Sequence, residues 1–583
     1  MDPDRPIQGH GMPEPRMPTG RIQKLLGHEP ASPPDAPLTP SVPLGPLAPT
    51  SPTVGRPATE ESRSFDGTGN NLAHPSYGAA HTALLPLAGD PAPRTGEQPT
   101  AREVSTTLFQ DTERPDARGM SQFTVWLAQF ITSHEMALTP SVEDRPELLP
   151  VPDDDPHFGD ARGIVFRRSE RLDDGGIANA ITSFIDGSAV YGSSPERAAA
   201  LREGRGGRLW VDENRLPVTM GELRERDSDT EFSMGRDQAR PGSAEDDLRI
   251  AGDVRANENV GLFAMHTLFV RAHNAEAAAL QDALREVGSP LAGNDDYLFE
   301  QARRRTVAMM QKITYYELAP ALFGENAVSP YPGYDPEVNA GIANAFSTAA
   351  NRFHPSVPGT MPLADAHGDP LGGIELEDAT FDPTLISAEN LERMVRGAVA
   401  HPMNSIEPQA VSALTTGLFE VQGQELGIDL IATNVARGRD HGLPSFNDLR
   451  EAYGLAPIAS FEQLVGVDSA QDEAESARLT ERARQLNELY GDIANLDAWI
   501  GMVSERHELG SSFGETQRTV FMEQLERLRS GDRFWFENTD ENGLAPAWVD
   551  RMRRQPSTLA ELLSDHMGVE VDHAHPFFAD RTR

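Results

Sequence analysis

The 583-residue chain contains no cysteine, which excludes disulfide bonds and any thiolate ligand to a metal. Lysine is almost absent, because Lys24 and Lys312 are the only two and arginine supplies the remaining basic charge. No run of about 18 apolar residues occurs, so we expect no membrane-spanning helix. Residues 1–25 are interrupted by prolines and lack an apolar stretch, which argues against an ordinary secretory signal.

Acidic residues outnumber basic residues by 90 to 51, so the net charge is −39 at pH 7. Such a surface repels nucleic acid and anionic lipid, and it favours solubility and the binding of cations. The preference for arginine over lysine, together with the acidity, indicates a bacterial source that is GC-rich or adapted to salt. We therefore expect no nucleic-acid partner.

Proline is concentrated at the N-terminus, where residues 1–58 hold 15 of the 46 prolines. Between Pro34 and Pro52 a proline recurs at every third residue, which matches the three-residue turn of a polyproline II helix. We predict a disordered Pro-rich region over residues 1–58. A stalk that docks to an unknown partner is the alternative.

The remainder, residues 59–583, has mostly helical spacing of its apolar residues and few short strand patterns. Polar stretches at 227–247 and 468–476 indicate loops or helix ends. The pattern predicts one large, mainly α domain, with helices at 120–138, 257–287, 297–323, 336–352, 387–400 and 516–530.

Residues 252–259 (GDVRANEN) place Arg255 and Glu258 three positions apart at the start of a long helical pattern. Residues at that spacing share a helix face. Together they could hold one polar ligand, the arginine attracting negative charge and the carboxylate accepting a bond. For an isolated pair of this kind a surface ion pair is the ordinary alternative.

This segment resembles the helix that carries the catalytic arginine in the animal-type haem peroxidases of the peroxidase-cyclooxygenase superfamily, here in a bacterial-type member. The resemblance extends over about residues 60 to 577 and implies a helical haem domain. It also implies a haem b cofactor and the use of hydrogen peroxide. Further motifs of that family occur in its order: 63–71 (RSFDGTGNN), 182–188 (TSFIDGS), 346–350 (FSTAA), 437–442 (RGRDHG) and 531–538 (GDRFWFEN).

On the proximal side the resemblance implies that His354 ligates the haem iron, and the absence of cysteine excludes a thiolate in that role. Asn434 is expected to accept a hydrogen bond from the imidazole, and Arg437 to pair with a haem propionate; Arg352 is a further haem contact. The glycine that usually precedes this histidine is missing, and Pro355 disfavours helical geometry at His354. We therefore expect a histidine at a helix end. A plain capping or core histidine is the alternative.

On the distal side the resemblance makes His134 the general base that takes a proton from peroxide and returns it to the leaving oxygen. Gln129 corresponds to the glutamine that orients water and halide. The two are five positions apart instead of four, and in a regular α-helix they would diverge by about 140°. A one-residue π-bulge would restore the alignment; without it Gln129 lies outside the pocket.

The family often attaches its haem through ester bonds. Thr132 and Ser133 stand where an aspartate would form one of them, and neither can do so. Glu258 matches the second position, so we expect at most one ester. Asn259 replaces the methionine of the myeloperoxidase-like branch, so no sulfonium bond is expected.

Thr182, Phe184, Asp186 and Ser188 alternate along the chain, so in an extended loop their side chains point the same way. Their hydroxyl, carboxylate and main-chain oxygens form a hard donor set that suits Ca²⁺. The resemblance adds Glu135, where the family has aspartate, and we expect the longer side chain to fold back. A short strand ending in an Asp-Gly turn is the alternative.

The leading functional prediction is a peroxidase that acts in the response to oxidative stress, in which Arg255 stabilises charge on the departing oxygen and small phenolic or halide donors are oxidised. A fatty-acid dioxygenase is the second, since His354-Pro355 resembles the cyclooxygenase branch, although Asn351 replaces the radical-carrying tyrosine. A haem- or calcium-binding module without turnover is the third. Relatives are often exported, so a secreted protein is expected, with the cytoplasm as alternative.

Overall fold

The computed structural model describes residues 61–87, 98–142, 146–158, 163–228, 231–235, 243–417, 428–571 and 576–579. Within them helices dominate and strands are short, which confirms the predicted mainly α fold. The region predicted to be disordered, residues 1–58, lies outside the described residues. None of the described helices is both long and apolar enough to cross a membrane.

The α-helices of the described residues are α1 (Ala101–Leu108), α2 (Gln122–Ala128), α3 (Ser188–Tyr191), α4 (Pro195–Leu201), α5 (Met220–Arg226), α6 (Val260–Glu286), α7 (Asp295–Ile313), α8 (Ala319–Phe323), α9 (Leu376–Ala379), α10 (Ala388–Ala400), α11 (Leu430–Asp440), α12 (Phe446–Ala452), α13 (Phe461–Val465), α14 (Glu473–Tyr490), α15 (Ala498–Ser504), α16 (Glu515–Ser530), α17 (Pro546–Arg554) and α18 (Thr558–Met567).

Wider and tighter helical turns join them. The π-helical segments are Gln129–Glu135, Thr314–Leu318, Phe346–Ala350 and Ala413–Gly417, and the 3-10 turns are Glu245–Asp247, Pro290–Gly293, His354–Ser356, Pro383–Leu385, Val467–Ser469 and Ile493–Asn495. The strands are β1 (Thr82–Ala83), β2 (Glu147–Leu149), β3 (Ile164–Phe166), β4 (Ala178–Asn179), β5 (Thr360–Ala364) and β6 (Pro370–Glu375). They form antiparallel pairs β1–β4, β2–β3 and β5–β6.

Helix α6 lies in the middle of the core. Its residues 260–273 are all buried, as expected for a helix that is surrounded on every side. It packs along α7 and also contacts α2, α10 and α18. Asn259 has extended backbone angles, and its side chain accepts a hydrogen bond from Leu262 N, so it caps the helix.

Because that cap lies at Asn259, the predicted position of Arg255 and Glu258 on one helix face is wrong. Both residues lie in the turn before α6, in which Glu258 N donates to Arg255 O at 3.0 Å. The turn keeps the two residues near each other, but their side-chain directions are set by the turn and not by the 3.6-residue period of a helix.

The predicted helix over 336–352 is wrong in its first half. Helical turns begin only at residue 344 and continue as the π-helix Phe346–Ala350. The backbone before them bonds elsewhere: Leu85 N donates to Ile342 O at 2.8 Å, and Ala343 N donates to Gln524 Oε1 at 2.7 Å. Tertiary hydrogen bonds thus take the groups that a helix would have paired.

Candidate active site

The distal segment changes from α-helix to π-helix at Gln129 and keeps the wider turn to Glu135. A π-helix bonds residue i to residue i+5, so residues five apart return to one face. Gln129 Nε2 donates to Glu258 Oε1 at 3.0 Å, and His134 Nε2 lies 3.9 Å from Glu258 Oε2. The π-bulge that the spacing allowed is therefore present, and both side chains meet one carboxylate.

Asp253 lies on the Nδ1 side of His134, opposite Glu258. Asp253 was not identified from the sequence as a site residue. Its Oδ1 is 3.3 Å from His134 Nδ1 and accepts from Arg255 Nε at 2.9 Å, while its Oδ2 accepts from Arg255 Nη2 at 2.6 Å. Burial works to raise the pKa of Asp253, but Arg255 and His134 outweigh it and hold that pKa well below its usual range. The available signal was an acidic residue two positions before Arg255.

Arg255 is tied to the distal segment as well as to the aspartate. Its Nη2 donates to Ser133 O at 3.0 Å and to Ala137 O at 3.2 Å, which are carbonyls on either side of His134. Nη1 has no hydrogen-bond acceptor among the described residues, and the side chain is 23% exposed. One face of the guanidinium is therefore fixed, and the remaining nitrogen is available to a ligand.

Asn351 connects the distal and proximal segments. Its Nδ2 donates to Thr132 O at 2.9 Å and to Ser133 Oγ at 3.3 Å, although Asn351 stands only three residues before His354. From the sequence, Asn351 was notable only because it stands where the cyclooxygenase branch has its radical-carrying tyrosine. The contact brings the segment of His354 against the segment of His134.

On the proximal side His354 begins a 3-10 turn after the π-helix Phe346–Ala350 has ended. Its position at a helix end agrees with the effect expected of Pro355. Asn434, buried in α11, places its Nδ2 at 2.7 Å from His354 Nδ1, and its Oδ1 accepts from Arg352 Nη1 at 3.4 Å. Burial, followed by the charge of Arg352, lowers the pKa of His354 to about 3, so the imidazole is neutral.

Arg352 and Arg437 supply positive charge beside this histidine. Burial first, and then Arg437 and Arg255, lower the pKa of Arg352 to about 10. Arg352 Nε has no hydrogen-bond partner in the described part of the chain. Arg437 Nη1 donates to Ser169 Oγ at 2.9 Å, and its guanidinium lies over the Phe166 ring. Arg437 Nη1 also lies 3.8 Å from Asp440 Oδ2, whereas Arg352 has no carboxylate within ion-pair distance among the described residues.

The loop at 182–188 lies against Glu135, as the resemblance implied. The Glu135 carboxylate accepts from the main-chain N–H groups of residues 186–189. Thr182 Oγ1 donates to Asp186 Oδ2 at 3.1 Å, and Ser188 Oγ donates to Glu135 O at 2.9 Å. Gly187 has φ of 84°, the left-handed conformation that an Asp-Gly turn requires.

Two carboxylates are buried together in this loop. Burial, followed by the charge of Asp186, raises the pKa of Glu135 to about 8, against the opposing effect of the N–H donors. Burial also raises the pKa of Asp186 to about 6, although Arg63 and Arg303 oppose it. Both groups therefore favour an added positive charge nearby.

A sequence model described as animal haem peroxidase matches residues 62–577. Peroxidasin of Drosophila melanogaster is 32% identical over 535 residues, which cover 82% of this chain and 34% of peroxidasin. Peroxinectin A of Dictyostelium discoideum is 30% identical over 511 residues, covering 83% of this chain and 90% of that protein. The chain thus spans about a third of the peroxidasin that it matches.

Solved structures agree with the sequence comparison. Peroxidase A from Dictyostelium discoideum superimposes with a TM-score of 0.76 at 27% identity, covering 89% of this chain and 100% of that one. Oryza sativa fatty acid alpha-dioxygenase gives a TM-score of 0.67 at 19% identity, covering 87% and 84%, which shows a shared fold. Since the family match spans most of the sequence, this chain belongs to the animal haem peroxidase family.

Proposed function

We propose that the chain is a haem peroxidase that reduces hydrogen peroxide and oxidises small phenolic, organic or halide donors. The observation that carries the proposal is the hydrogen bond from Asn351 to Thr132 O, which joins segments 219 positions apart at 2.9 Å. One of these segments carries His134, and the other carries His354. A candidate base and a candidate iron ligand thus come from two segments in direct contact.

The residues present fit a haem group, which is the cofactor of the family. His354 Nε2 has no hydrogen-bond partner among the described residues and is free to bind iron, as a neutral imidazole does. Arg352 is a partly buried cation whose Nε is buried and unpartnered among the described residues, and a propionate would satisfy it. We therefore propose haem b with His354 as its ligand and with Arg352 and Arg437 as partners for its propionates.

Asn434 fixes the tautomer of that ligand. Iron binding at Nε2 requires the proton to be on Nδ1, so that Asn434 must present its Oδ1 to the ring. In the structure Nδ2 faces the ring, and Oδ1 accepts the 3.4 Å bond from Arg352. A half-turn of the amide exchanges the two atoms and gives up only that long bond.

The distal residues move and hold protons. Haem iron, when bound, supplies the redox chemistry by which peroxide is reduced and the donor is oxidised. His134 Nε2 takes the proton from the peroxide oxygen and returns it to the oxygen that leaves. Arg255 Nη1 stabilises the negative charge that develops there, and Gln129 orients water within the pocket.

Steady-state turnover with peroxide and guaiacol, or with bromide, tests the proposal on hemin-loaded protein. Turnover that is lost in His134→Ala supports it. Absence of turnover in wild-type protein with a full haem complement would favour the module without catalysis, and oxygen uptake with linoleate would favour the dioxygenase. The dioxygenase neighbours share the fold, but Asn351 has no redox chemistry with which to replace a tyrosyl radical.

Glu258 is proposed to form one ester with the haem. Its carboxylate is half-buried and accepts from Gln129 at 3.0 Å, so it is held at the distal side. Thr132 and Ser133 offer no acid for a second bond, and Asn259 offers no sulfur. Acid–acetone extraction of the turned-over enzyme should leave haem on the protein, and Glu258→Gln should release it.

Ca²⁺ is proposed at the loop of residues 182–188. The donor set suits a hard cation, because Asp186 and Glu135 are two buried carboxylates of the same loop site. Thr182 and Ser188 add hydroxyls, and Phe184 adds a main-chain carbonyl. Metal analysis after dialysis should find one calcium per chain, whereas Asp186→Asn should lose it; metal-free protein with an unchanged haem spectrum would refute the site.

We also propose that the protein is exported, as its resemblance to exported relatives implies. Fractionation of the native source with an antibody against this chain decides the matter. Protein confined to the cytoplasm would refute it.

A further inference from the structure

Asp253 is held in place by the loop that surrounds it. Gly252, the preceding residue, lies so close to the main chain of Ser188 and Ala189 that a Cβ atom would collide with their carbonyl oxygens. Asp253 N then donates to Ala189 O at 3.1 Å, and the side chain is 1% exposed. Packing at Gly252 and the hydrogen bond to Ala189 O therefore fix the backbone of Asp253 independently of the contacts of its carboxylate.

The carboxylate of Asp253 contacts both residues to which the distal chemistry is assigned. It accepts from Arg255 through N at 2.7 Å, Nε at 2.9 Å and Nη2 at 2.6 Å. Its Oδ1 also lies 3.3 Å from His134 Nδ1, just beyond the usual N–H···O range, and Nδ1 has no hydrogen-bond partner among the described residues, so this carboxylate is the nearest acceptor for its proton. Long donor–acceptor distances between catalytic groups often shorten when the reacting complex forms.

The contacts of Asp253 determine which nitrogen atoms of His134 and Arg255 remain available to a ligand. A carboxylate beside Nδ1 keeps the histidine proton on that nitrogen, so the lone pair of His134 Nε2 faces the side on which Glu258 and Gln129 lie. The same carboxylate engages Arg255 Nε and Nη2, which leaves Nη1 for the developing charge. His266 packs edge-on to His134 with ring centroids 5.9 Å apart and limits its rotation.

We propose that Asp253 is a positioning residue for peroxide cleavage, which sets the tautomer of His134 and the orientation of Arg255 with one carboxylate. The inference rests on the proposed peroxidase function of this site. Its action passes through His134 and Arg255, because Asp253 lies behind them and touches neither peroxide nor cofactor in this account.

The test is Asp253→Asn in hemin-loaded full-length protein. The side chain keeps its shape but loses its charge and can present an N–H to His134 Nδ1, which favours the wrong tautomer. We expect kcat/KM for peroxide to fall by roughly 10²- to 10⁴-fold, because a histidine in the wrong tautomer loses its general acid–base contribution. Donor oxidation should change by less than about twofold, since that step does not use the distal base.

Cyanide association provides a readout without turnover, because hydrogen cyanide must also give its proton to the distal base. It should slow by the same factor as the peroxide reaction in Asp253→Asn. Asp253→Glu, which keeps the charge, should recover part of both rates. Asp155→Asn is the matched control: Asp155 pairs with Arg102 at 2.7 and 3.3 Å in another buried ion pair, and both rates should stay unchanged.

A double-mutant cycle with His134→Ala identifies the route. Asp253→Asn should cost much less in that background than alone, because residues that act through one another are not additive. Equal costs in both backgrounds, or an equal loss of peroxide and donor rates, would overturn the proposal and leave Asp253 a structural residue. Absent wild-type turnover would refute the peroxidase function, whereas the cyanide rates would still decide the role of Asp253.

Discussion

The distal and proximal sides of the site both differ by one residue from the spacing usual in peroxidases, and the structure resolves the two differences in opposite ways. On the distal side the extra residue lies inside a helix, and the π-helical turn Gln129–Glu135 absorbs it. On the proximal side the missing residue lies at a helix end, and His354 leaves the helix. A one-residue insertion within a helix can thus be absorbed by a wider turn. A one-residue deletion at a helix end instead places the residue outside the helix, where contacts with other segments hold it.

The two sides also differ in charge. On the distal side the charge of Arg255 is neutralised by Asp253, to which it donates two hydrogen bonds between side chains. The proximal side carries Arg352 with an unpartnered Nε. Among the described residues Arg255 is paired with a carboxylate, whereas the Arg352 guanidinium has only the 3.4 Å bond to Asn434 Oδ1, so an anionic ligand would satisfy it better.

Removal of the distal base tests the functional half of this comparison. His134→Ala should lower kcat/KM for peroxide by about 10²- to 10⁴-fold, the usual contribution of a general acid–base residue, while haem stays bound. The exposed His401 serves as a control, and His401→Ala should match wild type. Stopped-flow absorbance measures both, and a loss below about tenfold in His134→Ala would remove that residue from the proton transfer.

The charge difference is tested by two matched arginine substitutions in haem-free protein. Arg255→Met leaves Asp253 buried without its cation and should destabilise the fold by about 3–5 kcal/mol. Arg352→Met removes a poorly satisfied cation and should stabilise the fold by about 1–3 kcal/mol, because an unmade hydrogen bond is costly. Urea unfolding measures both, and changes of the same sign would contradict the comparison.

The dependence of His354 on tertiary support is tested at Asn434. Asn434→Leu removes the partner of Nδ1 and should weaken haem binding about 10- to 100-fold, as is usual when the partner of a metal-bound histidine is lost. Asn542→Leu is the control, because Asn542 is a buried asparagine whose Nδ2 donates to Trp535 O and Phe536 O instead of to the turn of His354. Hemin titration measures the affinities. Equal affinity in wild type and Asn434→Leu would show that the histidine needs no such support.

Acid sensitivity should be shared by both sides. Burial, followed by His134 for His266 and by Arg437 for His441, lowers the pKa of each to about 3. Unfolded histidine has a pKa of about 6.5, so the unfolded chain gains protons first and stability is lost as the pH falls from about 6.5 towards 3.

His266→Gln or His441→Gln should therefore flatten the fall in unfolding free energy between about pH 6.5 and 5, each by about 2 kcal/mol. Denaturant unfolding of the haem-free protein at several pH values provides the measurement. Curves that run parallel to wild type would show that these histidines are already charged in the folded protein.

The fold and the family could be predicted from the sequence because they depend on local features. Apolar spacing located α10 and α16 within a residue of their bounds, and the motifs located His134, Arg255 and His354. The spacing from Gln129 to His134 even defined the condition, a π-bulge, under which both would face the pocket.

Other features depend on long-range contacts and had no local signal. Residues 336–343 have helical spacing, yet their backbone bonds to Leu85 and Gln524. The capping of α6 by Asn259 put Arg255 in a turn, and only the packing of that turn shows Asp253 beside His134. The site roles themselves remain predictions, as does the bacterial origin.

The most direct measurement is the ultraviolet-visible and resonance Raman spectrum of protein reconstituted with hemin, in wild type and in His354→Ala. We predict that wild type takes up one hemin with a histidine-ligated spectrum, that His354→Ala loses the iron–histidine band, and that added imidazole restores it. Wild-type protein that takes up no hemin, or identical spectra in both proteins, would contradict the assignment of His354 as the iron ligand.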